Sequence, residues 1–207
     1  MPATMESISS KVYGVLLGSQ TWHATFNKVA LLEAALDAKT YDAVLILDAD
    51  AVIVDFDVDF FDIMPPGMMF TAERVEDESV KWNVNAGVMI WNLQHPEVGK
   101  FAKEWMKRSM KSIKKRIMYE DDQGIMQDIL QEYSLADRAK YFNNIDKGLI
   151  NGVGKYIVHK MREKNSFDKK NLKASVGNRT GALKEICEKV RTENKEKISM
   201  EDQGNAD

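Results

Sequence analysis

The spacing of apolar positions changes several times along the chain, and each change marks an element. KVYGVLLG (11–18) is an apolar run of strand length closed by Gly18 and Ser19. KVALLEAALDA (28–38) then sets Val29, Leu32, Ala35 and Leu36 at helical spacing. Residues 41–54 show almost no polar alternation, which is the pattern of a parallel strand covered on both faces, so a βαβ unit is expected. MPPG (64–67) punctuates the chain after DVDFFDIM, and GMMFTAE and NAGVMIWNL read as further short strands. Pro96 falls near the start of the next helix, Glu97 to Lys115, where Val98, Phe101, Trp105, Met106 and Met110 form one stripe and lysines fill the rest. Asp121 to Tyr133 is a second helix with acids in its first turn, where the helix dipole favours negative charge. KYIVH (155–159) is the last strand. Beyond Lys160 the composition turns to Lys, Glu, Asn and Asp, with a helix expected over 181–193 on Leu183, Ile186 and Val190 and a disordered end from about 195.

Length and charge narrow the function classes. A chain of 207 residues is long enough for one sizeable core, so one domain with appendages is expected. A net charge of −3, from 29 basic and 32 acidic residues, argues against a non-specific nucleic-acid binder, which needs a clear excess of Lys and Arg on one face. Cys187 is the single cysteine, which excludes an internal disulfide framework and a cysteine zinc cluster and suits a reducing compartment. No apolar run approaches the roughly 20 residues that span a bilayer, and MPATMESISSK lacks the basic start and apolar core of an export signal. As written, the chain is expected to be cytoplasmic; a truncated N-terminus would leave the Golgi lumen open. The methionines, 12 in all, read as core gap-fillers.

VLILDADAVIVD (44–55) departs from this ordinary picture. Unpaired carboxylates within a central strand would cost several kcal/mol of desolvation, so Asp48 and Asp50 should sit at the open end of the strand or beside a cation. Open α/β sheets bind ligands outside the carboxyl ends of their strands, and VLIL delivers both acids to that edge. Two residues apart on an extended chain, they point to the same side and can face one hard cation such as Mg²⁺ or Mn²⁺. The plainer reading of the pair is as strand-end acids that cap a turn.

Lys28, the helix VALLEAAL and then YDAVLILDADAVIVDFDVDFFD resemble the core of the nucleotide-sugar-dependent glycosyltransferases of GT-A fold, in particular the glycogenin-like and the galactosyl- and xylosyltransferase-like families, whose central strand ends in an Asp-x-Asp metal motif. The resemblance continues in order through NVNAGVMIWN (83–92), EDDQGIMQDIL (120–130) and IVHK (157–160), and covers roughly residues 22–165. One Asp-x-Asp is a weak signal, whereas four elements in order and spacing are a much stronger one. The resemblance implies an α/β fold of GT-A type with a mixed, mostly parallel central sheet flanked by helices. It places the transferase domain over 11–165, between a flexible N-terminus (1–10) and a Lys/Glu-rich C-terminal helix and tail (166–207).

What the resemblance implies for individual residues follows the same positions. Asp48 and Asp50 would hold Mn²⁺ or Mg²⁺, with His159 completing the metal shell as a neutral imidazole. The metal would bridge the diphosphate of a nucleotide-sugar donor, UDP- or GDP-linked, and Lys28 would reach the donor's phosphate or sugar hydroxyls. Asn85, Asp122 and Gln123 would line the donor-sugar and acceptor pocket as the catalytic residues, and Lys160 or Lys164 would meet the diphosphate. The acceptor would be a glycan, a protein or a small molecule carrying a hydroxyl, with no nucleic acid and no membrane span involved.

Two departures accompany the resemblance. Only 47 residues precede Asp48, so the base-binding βα unit is expected to be missing or shortened; and after His159 the chain reads KMREKNSF where the glycogenin-like pattern has a glycine and then Lys-Pro-Trp. Each residue also has a plainer reading. Lys28 reads as a solvated helix start, Asn85 as a turn cap, Asp121 and Asp122 as helix N-terminal acids, and His159 as a strand-edge residue. A rival chemistry is that of a haloacid-dehalogenase-like phosphatase, with Asp48 as nucleophile, Asp50 as general acid and Thr71 in a second motif. A truncated, non-catalytic relative is the third reading. GLINGVGKY (148–156) misses phosphate-loop spacing by one residue and is set aside.

Overall fold

The computed structural model describes residues 25–74, 84–115, 121–145, 148–160 and 179–195. The strand expected over 11–18, Lys164 and the tail beyond 195 lie outside the described residues. In chain order the elements are α1 (Asn27–Ala38), β1 (Ala43–Leu47), β2 (Ala51–Ile53), β3 (Phe70–Arg74), β4 (Val84–Asn92), α2 (Val98–Lys115), α3 (Asp122–Glu132), α4 (Leu135–Tyr141), β5 (Phe142–Ile145), β6 (Ile157–His159) and α5 (179–195). The described residues form two compact units: those of 25–48 with those of 59–145, and those of 49–58 with those of 148–195.

The first unit is built on a four-stranded sheet in the order β1-β4-β3-β5. β4 lies between β1 and β3 and is antiparallel to both, and β5 joins the far side of β3 in parallel. The sheet is therefore mixed, as expected, but among the described residues its parallel share is the single β3–β5 pairing. The long apolar stretch 41–54 does not form one parallel strand. It is divided by the turn at Asp48–Asp50 into β1, which runs antiparallel to β4, and β2, which belongs to the other sheet. The carboxylates end the ladder where an apolar residue would have continued it.

Six apolar residues of β4 earn its central place: Val84, Ala86, Val88, Met89, Ile90 and Trp91 are all buried, so both faces are covered. α2 packs Val98, Phe101, Ala102 and Trp105 inward at i, i+3, i+4 and i+7 spacing, as an amphipathic helix should. Further along the same helix the buried positions are Ser109 and Ser112, while Met106 and Met110 are half-buried. Phe70, Trp91, Phe101, Trp105 and Phe142 form an aromatic cluster, with ring centroids from 4.7 Å (Phe70–Trp91) to 6.2 Å apart (Phe101–Trp105). His95, unassigned from sequence, is buried against Tyr141, and its Nδ1 accepts the Glu97 amide ahead of α2.

α4 and β5 were not expected from the sequence. Ser134 caps α4 by accepting the Asp137 amide at 3.1 Å, and FNNI follows as a short strand whose polar centre hid it.

Two equally buried tryptophans differ in one bond. Trp105 Nε1 donates to the Asp122 carbonyl at 3.0 Å, whereas Trp91 Nε1 is buried with no acceptor among the described residues. Trp105→Phe is therefore expected to cost about 1 kcal/mol more than Trp91→Phe, measured as urea unfolding midpoints, because only the first leaves an acceptor bereft. Equal costs would show that the indole bond contributes nothing net.

The second unit pairs β2 antiparallel to β6, with Ala51 opposite His159 and Ile53 opposite Ile157. Residues 148–156 form a tight loop that folds back on β6. Gly148 and Gly152 take positive φ (92° and 62°), and the amides of Lys155, Tyr156 and His159 donate to the carbonyls of Gly148, Leu149 and Gly152. α5 also belongs to this unit.

Candidate functional site

In the first unit the chemistry gathers where β1 ends and β4 begins. Asp48 follows Leu47, and its amide donates to the Gly87 carbonyl at 2.7 Å, one residue past the Leu47–Val88 pair. The β3–β4 pairing is irregular at the same place: the step from Ala72 to Arg74 on β3 is matched by Val84 to Met89 on β4. Asn85, Ala86 and Gly87 are thereby released from the ladder, and other groups must satisfy their backbone. The Ala86 amide donates to Gln123 Oε1 (3.0 Å), the Ala86 carbonyl accepts from Lys28 Nζ (2.9 Å), and the Gly87 amide donates to Asn85 Oδ1 (2.7 Å). Asn85 and Gln123 thus shape the irregular NAG stretch of β4 with their own side chains.

Lys28 binds this cluster of the first unit together. Besides Ala86, its ammonium group lies 2.6 Å from Asp48 Oδ1 and 2.8 Å from Asp122 Oδ2. Its three protons face three acceptors, and Lys28 and Asp122 are both buried. The Asp122 contact is poorly aligned as a hydrogen bond, so its attraction rests on charge. Burial pushes the Lys28 pKa down, but Asp122 and then Asp48 outweigh it, and the net shift is upward from 10.5. Asp122 is also raised, from 3.8: burial dominates, Lys28 and a hydrogen bond from Thr25 oppose it, and Asp48 adds to it. The neighbouring acid has a separate duty. Asp121 is the N-cap of α3, its Oδ1 accepting the Gly124 amide at 2.7 Å. Sequence alone could not divide the two aspartates between capping and ion pairing.

In the second unit Asp50 and His159 meet. His159 Nε2 lies 3.0 Å from Asp50 Oδ1, and its Nδ1 lies 2.6 Å from Asn151 Oδ1. Asn151 Oδ1 also accepts the Gly152 amide at 3.0 Å, which fixes the amide with its oxygen toward the ring. The proton on that side of the imidazole therefore sits on Nδ1. A neutral His159 so oriented presents its Nε2 lone pair to a carboxylate, and two acceptors at 3.0 Å need a proton or a cation between them. A histidine with its far nitrogen held by a carboxamide is also how proteins orient a metal-ligating imidazole. The residues fit a divalent cation. Arg179, at the start of α5, donates from Nη1 to Asp50 Oδ2 at 2.7 Å. Burial raises the Asp50 pKa, but the His159 bond and the His159 and Arg179 charges prevail and hold it below 3.8. The Lys160 amide donates to the Asp50 carbonyl.

Thr25, Asn151 and Arg179 went unnoticed in the sequence. Asn151 had a signal, since an Asn beside Gly in a tight loop commonly turns its side chain on a nearby amide. Arg179 had none.

No protein family and no curated protein matches the chain in sequence. Solved structures do match. A glycosyltransferase involved in the glycosylation of the major capsid of PBCV-1 is 13% identical and superposes over 81% of this chain and 88% of its own, with a TM-score of 0.52. Mouse xyloside xylosyltransferase 1 in its apo form is 17% identical over 70% of this chain and 62% of its own, with a TM-score of 0.42. The glycosyltransferase GlyE of Streptococcus pneumoniae TIGR4, also in apo form, is 16% identical over 80% of this chain and 46% of its own, at 0.45. The chain thus spans less than two thirds of the length of the last two. The likeness to the PBCV-1 structure carries the conclusion about architecture: the fold is that of a GT-A-like glycosyltransferase, as the sequence resemblance implied.

Proposed function

We propose that the protein is a metal-dependent glycosyltransferase that moves a hexosyl or pentosyl group from a nucleotide-diphosphate sugar, a UDP-sugar in the first instance, to a hydroxyl acceptor. The observation that carries this reading is the Asp50–His159–Asn151 relay, in which a buried, oriented imidazole faces a carboxylate. Asp48 joins it through the covalent chain: two residues of chain limit the separation of its Cα from that of Asp50 to about 7 Å in any arrangement. Asp48, Asp50 and His159 are the residues that would hold Mn²⁺ or Mg²⁺, both of which accept carboxylate and imidazole ligands. When bound, the cation supplies charge neutralisation to the departing diphosphate.

The chain's own residues prepare the rest. Lys28 holds Asp48 and Asp122 in place and offsets part of their charge, and a contact from Lys28 to the donor would replace one of its present partners. Asn85, Asp122 and Gln123 form the wall assigned to the donor sugar and acceptor, and Lys160 and Lys164 are candidates for the diphosphate. The phosphatase reading, with Asp48 as nucleophile, gains no support from a fold shared with a glycosyltransferase.

Calorimetric titration of UDP, GDP, UDP-glucose and UDP-galactose, with and without Mn²⁺, tests the proposal. The expected result is nucleotide binding that needs Mn²⁺ and weakens at least about tenfold in Asp50→Ala, a loss of 1.4 kcal/mol or more. A folded protein that binds none of the four would overturn it.

A further inference from the structure

The Asp50 carboxylate carries a partner that a metal site would not be expected to keep. Arg179 Nη1 lies 2.7 Å from Oδ2, the oxygen that His159 does not use, and it also reaches the Lys160 carbonyl at 3.4 Å. The rest of the guanidinium is less well served: Nε is buried without a hydrogen-bond partner among the described residues. A buried N–H donor with no acceptor is costly, so the side chain is held by charge in a setting that does not use all its donors. A guanidinium cannot shed its proton to make room for another cation.

Divalent cation and guanidinium therefore compete for one carboxylate. A metal bound through Asp50 would face the Arg179 charge across the width of a carboxyl group, in surroundings partly shielded from water, and the repulsion would drive the guanidinium off Oδ2. What it would then seek is an anion with oxygens spaced for a planar fork. A diphosphate provides that, and arginine binds phosphate oxygens two at a time where lysine offers only a point charge. Such an exchange would also bring the idle Nε into use.

We infer that Arg179 is a diphosphate-binding residue of the donor site, held on Asp50 in the absence of metal and transferred to the donor's phosphate oxygens when a divalent cation takes that carboxylate. This rests on the reading of Asp50 as a metal ligand. It predicts effects of opposite sign from one substitution, which a merely structural role for Arg179 would not produce.

The test measures Mn²⁺ binding alone, by the loss of its free electron-paramagnetic-resonance signal, and UDP binding at saturating Mn²⁺, by calorimetry, in wild type, Arg179→Met and Arg179→Lys. Arg179→Met should bind Mn²⁺ alone about threefold more tightly or better, having lost its competitor, and should bind UDP about tenfold more weakly. Arg179→Lys should recover part of the UDP affinity, and it keeps a charge on Asp50 should the methionine variant fold poorly. Weakening of both ligands in both variants would show that Arg179 merely positions Asp50, and no change in either would show that it stays clear of the donor; both outcomes overturn the inference. A folded wild type that binds neither Mn²⁺ nor UDP would instead overturn the transferase reading, and this inference with it.

Discussion

Gly154→Ala is expected to destabilise the second unit by at least about 3 kcal/mol, although it adds a single methyl group. A Cβ at this position would stand 2.9 Å from the Leu149 carbonyl oxygen and 3.0 Å from the Asn151 nitrogen, with the Ile157 carbonyl oxygen nearer still. All three are backbone atoms, so no side chain can swing aside, and the loop itself must open. Gly67 is the useful contrast: φ is +81° and nothing lies within 4 Å of its Cβ position, so Gly67→Ala meets only left-handed strain of about 1–2 kcal/mol. The loop that Gly154 tightens also positions Asn151 and delivers the chain to His159, so its opening should reach the Asp50–His159 pair. Hydrogen exchange reads the effect directly, because the amides of Lys155, Tyr156 and His159 donate within this loop. They should exchange much faster in Gly154→Ala and nearly unchanged in Gly67→Ala. Equal protection in the two variants would mean that 148–156 has space that the structure does not show.

That loop illustrates where sequence reading stopped. GLINGVGKY misses phosphate-loop spacing by one residue, and the close backbone approaches around Gly154 join residues that no local pattern reveals. Elements with strong periodicity were legible: β4 is apolar through VMIW, and α2 repeats its apolar stripe over four turns. Those that are short or polar were not, as α4 and β5 show, because their stability comes from neighbours rather than from their own composition. The direction of β1 was also hidden. A buried strand looks alike whether its partner is parallel or antiparallel, and β4, its antiparallel partner, lies far away in sequence.

The site divides in the same way. Residue types could nominate Asp48, Asp50, His159, Lys28 and Asp122, since carboxylates, imidazole and a lysine in that order suit metal and phosphate chemistry. Types could not say how they pair. Lys28 lies between two aspartates and the Ala86 carbonyl, a set of partners that its type does not reveal. Asp122 was a plain helix acid or a catalytic group on sequence grounds, and it is the buried partner of that lysine while Asp121 does the capping. Arg179 stands alone as a charge in ASVGNRTGAL (174–183), far along the chain from Asp50, and no local pattern ties the two together.

Lys28→Met should cost about 3–5 kcal/mol, of the order of 10 °C in the midpoint of thermal unfolding for a chain of this size, because it removes one partner of a buried ion pair and leaves the other charge behind. Two carboxylates lose their cation, but unequally. The Asp48 side chain is 31% exposed and can turn to water, whereas that of Asp122 is only 5% exposed and cannot. Most of the cost should therefore belong to Asp122, and pH can reveal it. In the wild type Lys28 has a folded pKa above 10.5, so its stabilisation is whole below that value and fades as the pH rises through the folded pKa. Asp122 has a folded pKa above 3.8, since burial raises it more than Lys28 lowers it, and without Lys28 it must climb further. Ionised Asp122 then destabilises the variant at every pH above that raised value, and the penalty shrinks as the pH falls through it. The stability gap between wild type and Lys28→Met should accordingly narrow on acidification from about pH 8 to about pH 5. The double variant Lys28→Met with Asp122→Asn, which removes the stranded charge at nearly constant shape, should regain most of the loss at neutral pH. A gap that is constant with pH and unrelieved by Asp122→Asn would mean that Lys28 matters for its bond to the Ala86 carbonyl, and so for the shape of the NAG stretch, rather than for the charge it neutralises.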